Sequence, residues 1–228
     1  MGFTPVKTPL LLKKMFPDYV WDIPSKSKTL YLTFDDGPTP EITDWTLETL
    51  NDFNARATFF CIGNNINKHP DIFKNILAGG HRIGNHTHDH LKGWKTKTTR
   101  YLENIRLCES VLKTQLSHAH LPDKQNSLIQ DHPIHLFRPP YGKMKPGQSK
   151  KILDMGYHIV MWDVLSFDWD KTLSEEHCLN NVINKASNGS IVVFHDSLKA
   201  AKNMQFTLPR ALQYFSEKGF EFKAINSL

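Results

Sequence analysis

The stretch Leu30-Tyr31-Leu32-Thr33-Phe34-Asp35-Asp36-Gly37-Pro38 decides how the chain reads. Residues 30–34 are apolar or β-branched and read as a buried strand; they stop at two adjacent carboxylates and a Gly-Pro turn. The same pattern recurs downstream. Short apolar runs at 57–61, 81–85, 135–137, 157–162, 191–194 and 220–224 alternate with amphipathic stretches at 41–54, 70–77, 95–116, 148–155, 173–186 and 206–218. In the first of these stretches Ile42, Trp45, Leu47, Leu50 and Phe53 fall on one helical face, with Trp45 expected in the core. Strand–helix alternation repeated about seven times predicts an α/β fold with a parallel sheet, either a barrel or doubly wound.

Composition agrees with a single domain. The chain has 228 residues, 39% hydrophobic and 11% aromatic, enough to bury a core. With 22% charged residues and a mean hydropathy of −0.43, it does not read as disordered, collagenous or coiled-coil. Three cysteines are too few for a disulfide scaffold; Cys61, Cys108 and Cys178 sit in apolar surroundings and read as buried free thiols. The net charge of +5 would suit an anionic partner, but the lysines are spread, with 143–151 the densest run, and read as a solvated surface rather than a nucleic-acid site. No run approaches the roughly 20 apolar residues of a membrane helix. Leu10-Leu11-Leu12, flanked by Pro5 and Pro9, is too short for a signal peptide, so with Met1 as the native start a cytoplasmic monomer is expected. Residues 1–27, with four prolines, read as an irregular lead-in packed on a domain formed by 28–228. Residues 117–133 are polar and aperiodic and read as a long surface loop carrying His118, His120 and His132, with His135 beyond it. These belong to a surplus of 12 His that composition does not explain.

The residues suited to chemistry lie just after strands: Asp35-Asp36, His86 and His90, Arg138, Asp163 and Asp168, and His195-Asp196. In a parallel α/β barrel the C-terminal strand ends share one face, so these scattered positions converge. Two adjacent unpaired carboxylates would repel until one gained a proton, and a metal bound to one of them removes that problem. His86 and His90 have the i, i+4 spacing that places two imidazoles on one face of a helical turn, with His88 pointing away. Two His with a carboxylate from elsewhere make a three-ligand set with open positions, the pattern of a catalytic metal.

Taken together and in this order, Thr33-Phe34-Asp35-Asp36-Gly37-Pro38, His86-Thr87-x-x-His90 and Arg138-Pro139-Pro140-Tyr141-Gly142 resemble the motifs of the polysaccharide deacetylase family, the carbohydrate esterases of family 4 that share the NodB homology domain. Trp162 to Asp168-Trp169 and residues 191–196 match its two weaker motifs, so the likeness runs from about 29 to 222. The resemblance implies a distorted (β/α) barrel of seven parallel strands and metal-dependent removal of N-acetyl groups from amino sugars. It implies Asp36, His86 and His90 as ligands of one divalent ion, with Zn²⁺ first and Co²⁺, Ni²⁺ or Mn²⁺ open. It implies Asp35 as general base, His195 as general acid, Arg138 orienting Asp35, Asp168 tuning His195, and the backbone N–H of Tyr141 at the oxyanion. Trp169, Val193 and Pro139 would line the substrate pocket, with Trp162 also at its wall and Trp94 stacking on a sugar ring. Arg82, Leu165 and Val193 depart from the family's usual residues, which bears on substrate choice.

Amide hydrolysis needs an activated water, a stabilised oxyanion and a proton for the leaving amine, and this residue set can supply all three. Three other readings remain open from sequence. They are a deacylase of O-acetyl sugars or of a non-sugar amide or imide, a catalytically silent carbohydrate-binding protein, and a two-His, one-carboxylate iron oxygenase.

Overall fold

A computed structural model of the chain describes residues 5–118, 135–226 and 228. Most of the loop expected over 117–133, with His120 and His132, lies outside the described residues. Among the described residues, nine strands form one parallel sheet: β1 (Tyr19–Val20), β2 (Thr29–Asp35), β3 (Thr58–Cys61), β4 (Arg82–Asn85), β5 (Leu136–Phe137), β6 (His158–Val160), β7 (Val164–Leu165), β8 (Ile191–His195) and β9 (Glu221–Phe222). Their order is β1-β6-β5-β4-β3-β2-β8-β7, with β9 on β2. The helices around it are α1 (Leu10–Met15), α2 (Ile42–Asp52), α3 (Gly63–Lys68), α4 (Pro70–Ala78), α5 (Thr98–His118), α6 (Pro146–Asp154), α7 (Glu175–Ile183) and α8 (Ala201–Glu217).

All seven expected strand positions are occupied, and two differences raise the count. The run at 157–162 holds β6, which pairs with β5; a further strand, β7, begins four residues beyond β6, outside that run, and pairs with β8. A single segment thereby reaches both ends of the sheet and brings it round into a distorted barrel. The second difference corrects the expectation of an irregular lead-in. Residues 5–27 contain α1 and β1, and β1 covers the free edge of β6, with Met161 N–H donating to Val20 O. The lead-in is pinned at Asp163, which is buried and takes Lys7 Nζ at 2.8 Å, Lys13 Nζ at 2.6 Å and Ser190 Oγ at 2.5 Å. Asp163 was a candidate for chemistry by its place after a strand; the structure makes it an anchor.

Alternation along β2 sorts its side chains onto two faces. Leu30, Leu32 and Phe34 join the core beneath the helices, where Phe34 stacks between Phe59 (4.9 Å) and Phe194 (5.8 Å). Tyr31, Thr33 and Asp35 face the other way, toward the barrel interior, which Phe60, Leu136, Val160, Ile191 and Ile225 fill. A second core, with Trp21, Tyr101, Ile105, Phe137 and Ile159, lies under α5 and α6. Trp45 packs, partly buried, against the first core, and the three cysteines are buried free thiols as expected. Burial holds the Cys108 thiol up at about 12, so it is inert.

Candidate active site

The last residue of β2, Asp35, stands in register with the last residue of β8, His195. Both side chains therefore leave the inner face of neighbouring strands at their C-terminal ends. Asp35 is 4% exposed, and its Oδ1 accepts a hydrogen bond from Arg138 Nη1 at 2.7 Å. Arg138 is wholly buried yet satisfied: it also donates to Thr33 Oγ1 at 2.7 Å, Val160 O at 3.1 Å and Met161 O at 2.8 Å, and its guanidinium lies 4.1 Å over the Phe60 ring. A buried guanidinium is tolerable only with this many partners, and the fork holds Asp35 in one orientation.

Asp36, one residue beyond the strand, has φ 83, so its carboxylate turns away from Asp35. Its Oδ1 lies 3.2 Å from His90 Nε2 and 3.7 Å from His86 Nε2. His86 and His90 do not share a helical turn, as their spacing had suggested. They lie in a loop after β4 in which Thr87 (φ 63) and His90 (φ 53) take left-handed backbone, and this bend brings both rings to Asp36. His88 lies outside this trio and fits against Gly63, where a Cβ would stand 2.6 Å from its Nδ1. His86 Nδ1 meets Arg138 O at 2.8 Å, which leaves Nε2 free to ligate, and burial holds this imidazole down at about 4, in the neutral form a metal needs. Burial opposes ionisation of Asp36, but the imidazoles of His90, His195 and His86 outweigh it and hold the carboxyl well below its ordinary range. Asp36 Oδ1 is buried without a hydrogen bond, an orphaned anionic oxygen facing two imidazole nitrogens. Donors from all three residues lie within 4.8 Å of one another, so the trio fits a divalent ion, and two N and one O suit Zn²⁺.

On the other side of the site, Asp168 Oδ1 is 2.9 Å from His195 Nδ1, and its Oδ2 accepts the His195 backbone N–H at 2.7 Å. Burial would strip the proton from His195, but the charge and hydrogen bond of Asp168, with Asp36 and Asp35 behind it, raise the imidazole to about 9. Trp169 sets its edge on this ring, 4.7 Å between centroids. Val193 lies on the same face of β8 as His195, one alternation deeper and 1% exposed, at the floor of the barrel end.

Pro139 is buried, whereas Tyr141 projects, 52% exposed at φ 60. Its ring lies 4.7 Å from His90 and edge-on to Trp94 at 5.5 Å, so Tyr141 and Trp94 form an aromatic rim beside the candidate metal site. Trp162 fits against Gly142, where a Cβ would meet its ring at 2.2 Å. His81 is structural: its Nδ1 accepts Ala57 N–H at 3.1 Å.

Sequence reasoning passed over the residues that hold Asp36 and the histidine loop in place. Asn65 Nδ2 donates to Asp36 O at 2.8 Å. Asn85 Oδ1 accepts Thr87 N–H at 2.8 Å, and Asn104 Oδ1 accepts the N–H groups of His88 (2.9 Å) and Asp89 (3.0 Å). Both Asn85 and Asn104 are amides at buried positions, where a polar side chain needs a partner.

The fold and site define a parallel (β/α) barrel with a two-His, one-Asp group that could hold a metal ion, close to the carboxylate of Asp35 and the imidazole of His195. Residues 22–160 match the sequence profile described as polysaccharide deacetylase. Over 227 residues the chain is 30% identical to a peptidoglycan-N-acetylglucosamine deacetylase of Bacillus cereus, spanning 96% of this chain and 97% of that protein. It is 31% identical over 174 residues to a chitooligosaccharide deacetylase of Azorhizobium caulinodans, 76% of each. A crystal structure of a peptidoglycan N-acetylglucosamine deacetylase in complex with 4-naphthalen-1-yl-N-oxidanyl-benzamide superposes with a TM-score of 0.79 at 31% identity, covering 91% of both chains. The chain belongs to the polysaccharide deacetylase family, hydrolases of carbon–nitrogen bonds other than peptide bonds.

Proposed function

We propose that this chain removes N-acetyl groups from an amino-sugar oligo- or polysaccharide of the peptidoglycan or chitooligosaccharide kind. One observation supports this above all: Asp35 and His195 end adjacent, paired strands, and the cluster Asp36–His86–His90 lies beside them. When bound there, a divalent ion makes water more acidic and polarises a carbonyl. Asp35, held by Arg138, accepts the proton that the attacking water sheds. The backbone N–H of Tyr141, a residue in left-handed conformation, would stabilise the developing oxyanion. His195, protonated through Asp168, delivers a proton to the leaving amine. An amine is a poor leaving group without that proton, which is why an acid above neutral pKa favours N-acetyl over O-acetyl substrates. A silent carbohydrate binder would have no use for both a clamped base and a charged acid.

The test is acetate release from N-acetylglucosamine oligomers and peptidoglycan fragments, against O-acetylated sugars, using wild type and Asp35→Asn. The expected result is release from the N-acetyl substrates and a loss of about 10²- to 10⁴-fold in Asp35→Asn. Release from O-acetyl esters alone would sink the N-deacetylase reading, and full activity in Asp35→Asn would sink the base.

A further inference from the structure

Asp196 follows the acid directly and has no part in the steps above, although it is wholly buried. Its Oδ1 accepts the backbone N–H of Gly37 at 3.1 Å, and its Oδ2 accepts Thr43 Oγ1 at 2.6 Å. Thr43 Oγ1 in turn accepts Thr39 N–H at 2.8 Å. The Asp196 backbone N–H donates to Asp35 O at 3.2 Å. One residue thus reaches both flanks of Asp36, taking the carbonyl before it and the amide after it. The fit is close: a Cβ on Gly37 would stand 2.0 Å from Asp196 Oδ2.

Asp36 needs such a clamp. It carries a side chain at φ 83, a backbone region that costs a non-glycine residue about 1–3 kcal/mol and persists only when its surroundings impose it. We propose that Asp196 is a positioning residue for the metal site: through Gly37 and Thr43 it holds the turn that presents Asp36 to the ion, and it couples that turn to the strand end bearing His195. This rests on the reading of Asp36 as a ligand. The clamp works through hydrogen bonds, and both of its partners can be met without a charge. An Asn in its place offers its oxygen to Gly37 N–H and its amide to Thr43 Oγ1, whereas a Leu of similar size offers neither.

The experiment measures Zn²⁺ affinity of the full chain by chelator competition, with far-UV circular dichroism and melting temperature for fold. Wild type, Asp196→Asn, Asp196→Leu and Thr43→Val are compared. The expected result is a loss of about 10- to 100-fold in Zn²⁺ affinity for Asp196→Leu, a smaller loss for Thr43→Val and wild-type-like affinity for Asp196→Asn. If Asp196→Leu fails to fold, Thr43→Val, which removes one partner and keeps the volume, carries the comparison with Asp196→Asn. A folded Asp196→Leu, or failing that a folded Thr43→Val, that binds Zn²⁺ like wild type overturns the clamp. So does an Asp196→Asn as weak as the Leu variant, since charge and not hydrogen bonding would then be the cause. A wild type that binds no Zn²⁺ overturns the ligand reading beneath it, a distinct result.

Discussion

Replacing Asp168 by Asn probes the acid most directly. Asp168 takes the His195 backbone N–H with one oxygen and faces Nδ1 with the other. Burial alone pushes the imidazole below its ordinary 6.5, and the Asp168 charge and hydrogen bond are the largest effects that reverse this to about 9. Asn keeps an acceptor for the backbone N–H, so its NH₂ must face Nδ1, which then becomes an acceptor. The ring loses both its counter-charge and its second proton, and its pKa falls to 6.5 or lower. A group at about 9 is essentially all protonated at pH 7 to 8, whereas a group at 6.5 retains roughly a quarter at pH 7 and about 3% at pH 8. Protonation alone therefore lowers kcat/KM about fourfold at pH 7 and about thirtyfold at pH 8, and the gap to wild type widens about tenfold per pH unit until it levels near 9. The assay is kcat/KM for acetate release between about pH 6 and 10. A constant ratio of wild type to variant across that range would refute the role of Asp168. The shift also carries a stability sign. The folded pKa lies above the unfolded one, so the stabilisation is complete below about 6.5 and is lost as pH rises through about 9.

Three further outcomes are expected. Arg138→Met leaves the Asp35 carboxylate buried and unpaired and should cost about 3–5 kcal/mol in urea unfolding, so a variant within 1 kcal/mol of wild type would contradict the clamp. Asp163→Ala should destabilise by about 1–3 kcal/mol while leaving kcat/KM unchanged, because Asp163 anchors the lead-in and not the site. Burial opposes ionisation of Asp163, but Lys13, Lys7 and Ser190 lower its pKa; its stabilisation is present above about 4 and fades as pH falls, so the gap between Asp163→Ala and wild type should narrow in acid. His86→Ala should lose bound divalent metal in elemental analysis, and a chelated wild type should regain acetate release on addition of Zn²⁺; a chelated protein at full activity would exclude the metal's role.

The strand–helix rhythm was legible because each strand is a short apolar run ended by turn residues, and the barrel's seven expected positions all hold strands. What stayed hidden was pairing. Nothing in the run 157–162 says that it will hydrogen-bond to β5 first and that the chain will reach β8 four residues on, since the partners lie 22 and 28 residues away along the chain. The lead-in misled for a similar reason. Its prolines read as irregular, yet Tyr19 and Val20 become a strand because β6 has a free edge, a fact about the sheet rather than about those residues. Asp163 looked the same as Asp168 in sequence, each a carboxylate shortly after a strand. Only the arrival of Lys7 and Lys13 from the far end of the chain separates anchor from site.

The pair His86 and His90 does come together, but through a geometry other than the one its spacing suggested. Spacing i, i+4 selects His86 and His90 because a helix would put them on one face, but a helical turn would need Thr87 and His90 at negative φ. Their φ values of 63 and 53 bend the five residues into a loop instead, and such backbone needs partners to hold it. Those partners are Asn85 and Asn104, together with the Gly63 and Asn64 amides, which donate to Thr87 O and His88 O. The ligand motif is thus only half of the site's sequence code. The other half is written as amides, hydroxyls and one carboxyl at core positions: Asn85 and Asn104 for the histidine loop, Thr33 for Arg138, and Thr43 with Asp196 for the Asp36 turn. Each is a buried polar side chain whose hydrogen bond goes to backbone or to a charged group of the site, which is the reason a polar residue is tolerated there at all.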